Sequence, residues 1–300
     1  MNDFIIPITE QIYFIKGERN GKLPYSNSIL YKDHLIDTGI SRKHLRKVNK
    51  DFLINTVFFS HWHEDHIRDN LILKNVDHFC HPLDKEVIEN SRKFIDYYCV
   101  EKTPSEPLFK QYLYDIIRIQ DTRVEKIFRD GQLFTIGNDI QVKVIHSPGH
   151  SAGHCCFYDL NSKIAFLGDI DLSSFGPWYG CLDSNLMQFE ESIDKLLHID
   201  IDMAISGHNG MVEGRKKVRD RLNDYKSIIE KREERILQYF SEKKPTIISD
   251  LVRKNIIYHS YKDAFSEYLL VAEKIMLQKH FEKFLNNGRI ENVEKGYTLV

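Results

Sequence analysis

The sequence predicts an α/β domain over residues 1–213 followed by a smaller, mostly helical module over 214–300. Three observations predict it. Short apolar runs of strand character alternate with amphipathic helical runs as far as about residue 213. Several strand runs end in a His or an Asp, side chains suited to the ligand sites that gather at the carboxyl ends of strands in α/β folds. Beyond Gly214 the texture changes to long charged helices. There 19 Lys and Arg stand against 13 Asp and Glu, in a chain whose overall net charge is −2.

Taken in order, "QIYFIKG", "SNSILYK" and "HLIDTG" read as strands, the last closing on the turn signal Asp37-Thr38-Gly39. "NTVFFS" is a further strand and runs into "HWHEDH". "DKEVIENSRKFIDYYCV" reads as one helix and "PLFKQYLYDIIRI" as a second, after the break at Pro104 and Pro107; together they form a helical insertion over about 84–121. "IQVKVIHSP", "HCCFYD" and "KIAFLGD" restore strand character. "NLMQFEESIDKLLHI" is helical, with Leu186, Phe189, Ile193 and Leu196/Leu197 on one face, and "DMAISGH" is a short strand. The tail holds "RDRLNDYKSIIEKREERILQYF", "KPTIISDLVRKNI" and "SEYLLVAEKIMLQKHFEKFLNNG" as helices, with Gly288 closing the last, and "RIENVEKGYTLV" as strand, turn, strand. Lys and Arg alternate with Glu along "KSIIEKREER", the pattern of a solvated helix face. Helices ending in a hairpin read as a winged-helix-like module.

Cys80, Cys99, Cys155, Cys156 and Cys181 are odd in number and form no C-x-x-C pair, which argues against a disulfide framework and fits a reducing compartment. Cys155 and Cys156 lie in an apolar run and read as core. The start "MNDFIIPITE" lacks a basic leader, and no run approaches the roughly 18 apolar residues of a membrane span, so a cytoplasmic protein without a membrane partner is expected.

The chemistry is concentrated in "HWHEDH", where three of the chain's 14 histidines fall within six positions. On extended backbone His61 and His63 share a face, with Trp62 and Glu64 turned aside. Asp65 and His66 follow where the chain turns toward a helix, so two adjacent metal sites are the natural geometric reading. His150, Asp169 and His208 each follow a Gly at or near a strand end downstream. Imidazole and carboxylate donors suit zinc, and also iron or manganese.

"IDTG", "HWHEDH", "PGHSAGH", "GD" and "SGH", in this order, resemble the metallo-β-lactamase superfamily over residues 8–213. The resemblance implies a four-layer αββα sandwich. It implies that His61, His63 and His150 bind one divalent metal ion, that Asp65, His66 and His208 bind a second, and that Asp169 bridges them, with Asp37 orienting the cluster. Zinc is the expected metal. His146 reads as a strand residue and His154 as packing or support. Two metals could hold a bridging hydroxide for hydrolysis, with Asp65 and Asp169 as the catalytic carboxylates.

The substrate is read from the loop "SSFGPWYG", whose Phe175, Trp178 and Tyr179 are candidate pocket walls; Tyr97, Tyr98 and Tyr112 of the insertion are candidate lid contacts. A small-molecule ester or thioester is the expected substrate, as in glyoxalase II-like relatives. The runner-up is RNA phosphodiester cleavage, as in the β-lactamase-like endoribonucleases whose winged-helix-like tail this one resembles. Nucleic acid is not favoured as a partner, because no Lys or Arg lies between Asp169 and Glu190. The tail reads as a packing or homodimerisation module.

Overall fold

Two β-sheets stack face to face, and helices cover both outer faces. The computed structural model describes residues 3–241, 244–261 and 266–300. The first sheet runs in chain order through β1 (Ile5–Pro7), β2 (Ile12–Ile15), β3 (Ser28–Tyr31), β4 (His34–Ile36), β5 (Thr56–Phe58), β6 (Asp77–Cys80) and β7 (Lys126–Ile127). It is antiparallel to β4 and parallel from β4 onward. The second sheet comprises β8 (Leu133–Ile136), β9 (Ile140–His146), β10 (Cys155–Asp159), β11 (Ile164–Phe166), β12 (Met203–Ser206) and β13 (Gly210–Glu213), in the order β13-β12-β11-β10-β9-β8. Its β11–β12 pair is parallel, and this crossover sends both strands toward the same edge.

Side-chain alternation along the strands builds three apolar layers. On β10, Cys155 and Phe157 enter the layer between the sheets with Phe14, Ile29, Phe58, Val142 and Phe166. Cys156 and Tyr158 point the other way, into the layer under the helices. As expected, both cysteines are core, and all five thiols are free. The outer face of the first sheet packs on α1 (Arg42–Phe52) through Leu45 and Val48, and on the insertion through Val87, Phe94 and Leu113. The outer face of the second packs on α6 (Leu186–Leu197) and on the tail, with Phe189, Val218, Leu222, Met276 and Phe281 in one cluster. The change of composition at Gly214 is therefore not a break in the core.

Several elements differ from expectation. A short helix, α2 (Glu64–Ile67), follows the histidine motif. The first insertion helix is two, α3 (Pro82–Glu89) and α4 (Lys93–Tyr97), because Asn90 and Ser91 turn the chain and Ser91 is held by Asp121. α5 (Glu106–Gln111) continues into a π-helical stretch, Tyr112–Ile117, that ends at Arg118 in a left-handed conformation. In the tail, α7 (Arg215–Leu237) and α9 (Ser266–Asn286) are long, but "KPTIISDLVRKNI" gives only α8 (Ile248–Leu251), with Arg253 and Asn255 both at positive φ. Gly288, at φ +65°, follows α9 as expected. The hairpin β14 (Ile290–Val293) and β15 (Gly296–Leu299) gains a short extended partner where Thr246 pairs with Tyr297. Among the described residues no helix is long and apolar enough to cross a membrane.

Candidate metal centre

The ends of β5, β9, β11 and β12 lie at one edge of the stacked sheets. The loops leaving them bring the motif residues together. His61 and His63 precede α2, Asp65 and His66 sit on it, His150 lies in the β9–β10 turn, Asp169 follows β11 and His208 follows β12. Ligand atoms of His61, His63, His150 and Asp169 lie within 4.8 Å of one another, as do those of Asp65, His66 and His208. Asp169 stands between the groups. Its Oδ2 is 3.1 Å from His150 Nε2 and 3.8 Å from His61 Nε2, while Oδ1 is 2.8 Å from His66 Nε2 and 3.5 Å from His208 Nε2. Glycine makes this approach possible: a Cβ at Gly207 would stand 2.7 Å from His66 and 2.8 Å from Asp169 Oδ1.

A divalent cation fits the donor set. His61 Nε2 is buried with no hydrogen-bond partner, a costly state that a cation would relieve. The buried Asp65 Oδ2 and Asp169 Oδ1 face imidazole nitrogens of His208 and His66 at 3.1 and 2.8 Å. His150 Nε2 and His63 Nδ1 face each other at 2.9 Å, and His66 Nε2 and His208 Nε2 at 3.3 Å. Meanwhile the outward nitrogens are engaged, the arrangement that orients metal-binding imidazoles. His61 Nδ1 meets Ser60 Oγ at 2.9 Å, His66 Nδ1 donates to Asp37 at 2.7 Å, His150 Nδ1 to the Trp178 carbonyl at 2.9 Å, and His208 Nδ1 to the Gly21 carbonyl at 2.6 Å. Asp37 also accepts from the Ser60 N–H and hydroxyl, which makes it the anchor of the motif.

Electrostatics divides the histidines. Burial, reinforced by the neighbouring imidazoles, holds His61 and His63 well below the usual range. Burial is the largest influence on His66 and His208 and pushes them the same way, but the surrounding carboxylates together outweigh it and raise both well above. These are Asp169 with Asp37 and Asp65 at His66, and Asp169 with Asp171 and Asp65 at His208. His154 supports from beneath: burial lowers it to about 3, and its neutral Nε2 accepts the Asp169 N–H at 3.1 Å. His146, on β9, bonds the Ala152 carbonyl and stacks on His81, away from the cluster.

The pocket expectations divide. Trp178 flanks the centre, its ring 5.5 Å from His63 and 5.6 Å from His150, and its indole N–H donates to Tyr258 of the tail at 2.8 Å. Phe175 is partly exposed and tilted against Tyr258. Tyr179 is not a wall: it is fully buried, with its hydroxyl between His280 and Arg232. Tyr98 and Tyr112 are buried, and the Tyr98 ring stacks on that of His63 at 5.4 Å. Both donate to the buried Glu64, tying the insertion to the histidine motif, while Tyr97 lies edge-on to Trp62. Burial and the adjacent Asp65 raise Glu64 to about 7.

Four supporting residues escaped the sequence reading. Asp171 accepts the His208 N–H at 2.8 Å, and Cys181 lies 3.5 Å from His63 Nε2. From the tail, Tyr225 donates to the Asp169 carbonyl at 3.1 Å. Arg232, 2% exposed, donates to the carbonyls of Pro177 at 2.5 Å and Phe175 at 2.6 Å. The "KSIIEKREER" face is thus not wholly solvated: Arg232 and Glu233 are buried between α7, α9 and the 173–180 loop, because that loop and α9 offer carbonyls, His280 and Lys283 as partners.

Fold and site together define an αββα protein with a buried histidine–carboxylate metal centre. The family model of the metallo-beta-lactamase superfamily matches residues 24–208, and the chain belongs to that superfamily. An uncharacterized protein of Aquifex aeolicus is 27% identical over 169 residues, covering 54% of this chain and 71% of that one. The acyl-coenzyme A thioesterase MBLAC2 of Homo sapiens is 42% identical over 53 residues, a match spanning 18% of this chain and 19% of the human protein. The crystal structure of the metallo-beta-lactamase family protein TTHA1429 from Thermus thermophilus shares the fold at 18% identity, with a TM-score of 0.68 over 99% of this chain and 97% of that one.

Proposed function

We propose that the chain is a metal-dependent hydrolase of small carbonyl esters or thioesters, with His61, His63, His150, Asp65, His66, His208 and Asp169 as a two-metal ligand set. The observation that carries this reading is the division of the Asp169 carboxylate, one oxygen toward each imidazole group. Divalent cations held there, zinc by preference, would polarise the scissile carbonyl and lower the pKa of an attacking water to roughly 7. The chain's own residues do the rest. Asp37, Trp178 and Gly21 fix the imidazoles through their outer nitrogens. His154 and Tyr225 fix the Asp169 backbone from opposite sides. Trp178 beside the centre, with Phe175 and Tyr258 packed near it, would supply apolar walls suited to an acyl chain. Arg232 of α7, which holds the 173–180 loop, spends its fork on carbonyls and a tyrosine. The short stretch of similarity to an acyl-coenzyme A thioesterase points the same way.

Phosphodiester cleavage is the second reading, favoured by the excess of Lys and Arg in the tail. In it the tail, α7 to α9 with the β14–β15 hairpin, is a winged-helix-like unit serving a nucleic acid. The test is kcat/KM for an acyl thioester and for single-stranded RNA at about 50 and 200 mM salt. Thioester hydrolysis is expected to dominate with little salt response. Efficient RNA cleavage that falls steeply with salt, without thioesterase activity, would reverse the choice.

A further inference from the structure

Beside the C-terminal end of α2 lies a cleft of about 370 Å³ that the metal-centre reading leaves without a role. Its volume falls within the roughly 300–1,000 Å³ of small-ligand sites. Four arginines from three separate segments converge on it: Arg42 and Arg46 from successive turns of α1, Arg68 just after α2, and Arg118 at the end of the π-helical stretch. Asp69 is the one carboxylate among the lining residues. It is already shared between Arg42 Nε at 2.8 Å and Arg68 Nε at 3.3 Å. Arg68 is 8% exposed and held rigidly, donating to the Pro24 carbonyl at 2.7 Å with its guanidinium over the Tyr25 ring. Among the described residues, neither Arg46 nor Arg118 forms an ion pair, although carboxylates outnumber Lys and Arg in the chain.

Four guanidinium groups against one carboxylate leave the cleft strongly positive, and their mutual repulsion is relieved by an anion. The guanidinium fork matches phosphate oxygens two at a time, which a lysine cluster would not. Arg118 adds to the argument by its backbone. A non-glycine residue at φ 59° turns the chain out of the π-helical stretch at the point where its side chain reaches the cleft.

We propose that this cleft binds the phosphate groups of a small molecule, a diphosphate or phosphate ester. Two sources share that chemistry: a phosphorylated carrier attached to the substrate, and a free phosphate compound acting as an effector. Only the substrate source rests on the thioester reading. The cleft directly follows Asp65 and His66 along the chain, so either ligand would lie against the segment that carries two of the centre's residues.

The experiment compares metal-loaded wild type with Arg46→Gln/Arg118→Gln, both of whose sites are exposed, so that folding is preserved and is checked by thermal melting. ADP is titrated by calorimetry, with metal content measured before and after. Any ADP held at the metal centre is common to both proteins, so the difference reports the cleft. Binding is expected to weaken at least about tenfold in the variant, because charged hydrogen bonds to phosphate oxygens are lost. Equal affinity in the two proteins, or no binding of ADP at millimolar concentration, would overturn the proposal. So would loss of single-stranded RNA binding in the variant when ADP does not bind. KM is then compared for an acyl-coenzyme A and for a phosphate-free acyl thioester. A rise for the first alone, with ADP binding weakened, assigns the phosphate to the substrate. Matched changes, with ADP binding weakened, assign it to a separate effector. If neither thioester is hydrolysed, the functional reading falls while the ADP titration still decides the cleft.

Discussion

Replacing Arg232 by Met should loosen the metal centre although the residue belongs to the tail and touches no candidate ligand. The guanidinium makes three hydrogen bonds, at 2.5 and 2.6 Å to the Pro177 and Phe175 carbonyls and at 3.0 Å to the Tyr179 hydroxyl, and it lies 4.8 Å over the Phe175 ring. Met keeps much of the aliphatic stem's packing and removes all three. Charged hydrogen bonds are worth about 1.5–3 kcal/mol each, yet they are not additive, and removing a buried charge recovers part of its desolvation cost. A net destabilisation of about 2–4 kcal/mol follows, read as a shift in urea midpoint of the metal-loaded protein. The distinguishing effect is at the centre. The clamped segment continues into Trp178, whose carbonyl takes the His150 Nδ1 proton. Supporting contacts of this kind typically account for 10–100-fold in metal affinity or activity. Competition against a fluorescent chelator should show a loss of that order. Arg232→Lys, which cannot fork, should recover it only in part. If Arg232→Met shifts the urea midpoint but leaves metal affinity and kcat within twofold of wild type, the clamp is structural only and the reasoning is refuted.

The remaining predictions concern the ligands and their supports. Reconstituted protein should carry two metal ions per chain by elemental analysis; a firm value of one with excess metal would contradict the two-group reading. Asp169→Ala should cost turnover well beyond a hundredfold, since it removes a carboxylate facing both groups, and activity within tenfold of wild type would exclude it as the bridge. Tyr225→Phe deletes one hydrogen bond to the Asp169 carbonyl and should cost about 1 kcal/mol of stability, measurable in urea, with a smaller loss of metal affinity than Arg232→Met. In metal-free protein, Glu64, raised by burial to about 7, binds its proton more tightly folded than unfolded. Its contribution is fully present below about pH 4.5 and is lost as pH rises through 7. Wild type should therefore lose stability relative to Glu64→Gln across that window, and parallel pH profiles would show that Glu64 does not titrate there.

The candidate site was far more legible than its supports, for a physical reason. His61, His63, Asp65, His66, His150, Asp169 and His208 are polar residues where chain pattern alone would place turns, so their type betrays them. Arg232 and Tyr225 lie on a helix whose neighbours are charged and exposed, and nothing local separates a buried arginine from a solvated one. Burial there is decided by the 173–180 loop, which arrives from more than fifty residues away. Strands with strong apolar runs, such as β9 and β10, were readable. β7, two residues long and exposed, carries no periodic signal, whereas α1 was missed although Leu45, Val48 and Phe52 mark one face, because its other positions are mostly charged. The division of α3 from α4 turned on Ser91 meeting Asp121, a contact across thirty residues. The arginine cleft left no trace either, because its members are scattered between residues 42 and 118.

Tyr225, Arg232 and Tyr258 all lie beyond the last candidate ligand, His208, and each holds the 169–180 segment in place. During synthesis the chain emerges from its N-terminus at about 5–20 residues per second. Every candidate donor atom of the centre is thus made before the tail side chains that brace the 169–180 segment. A ribosome-bound chain ending near residue 213 holds all seven ligands but leaves the outer face of the second sheet bare and Asp169 without its tail partner. On the two-metal reading, firm uptake of metal is therefore expected only once the C-terminal helices have been made, and a 1–213 chain that bound metal as tightly as the full chain would refute it.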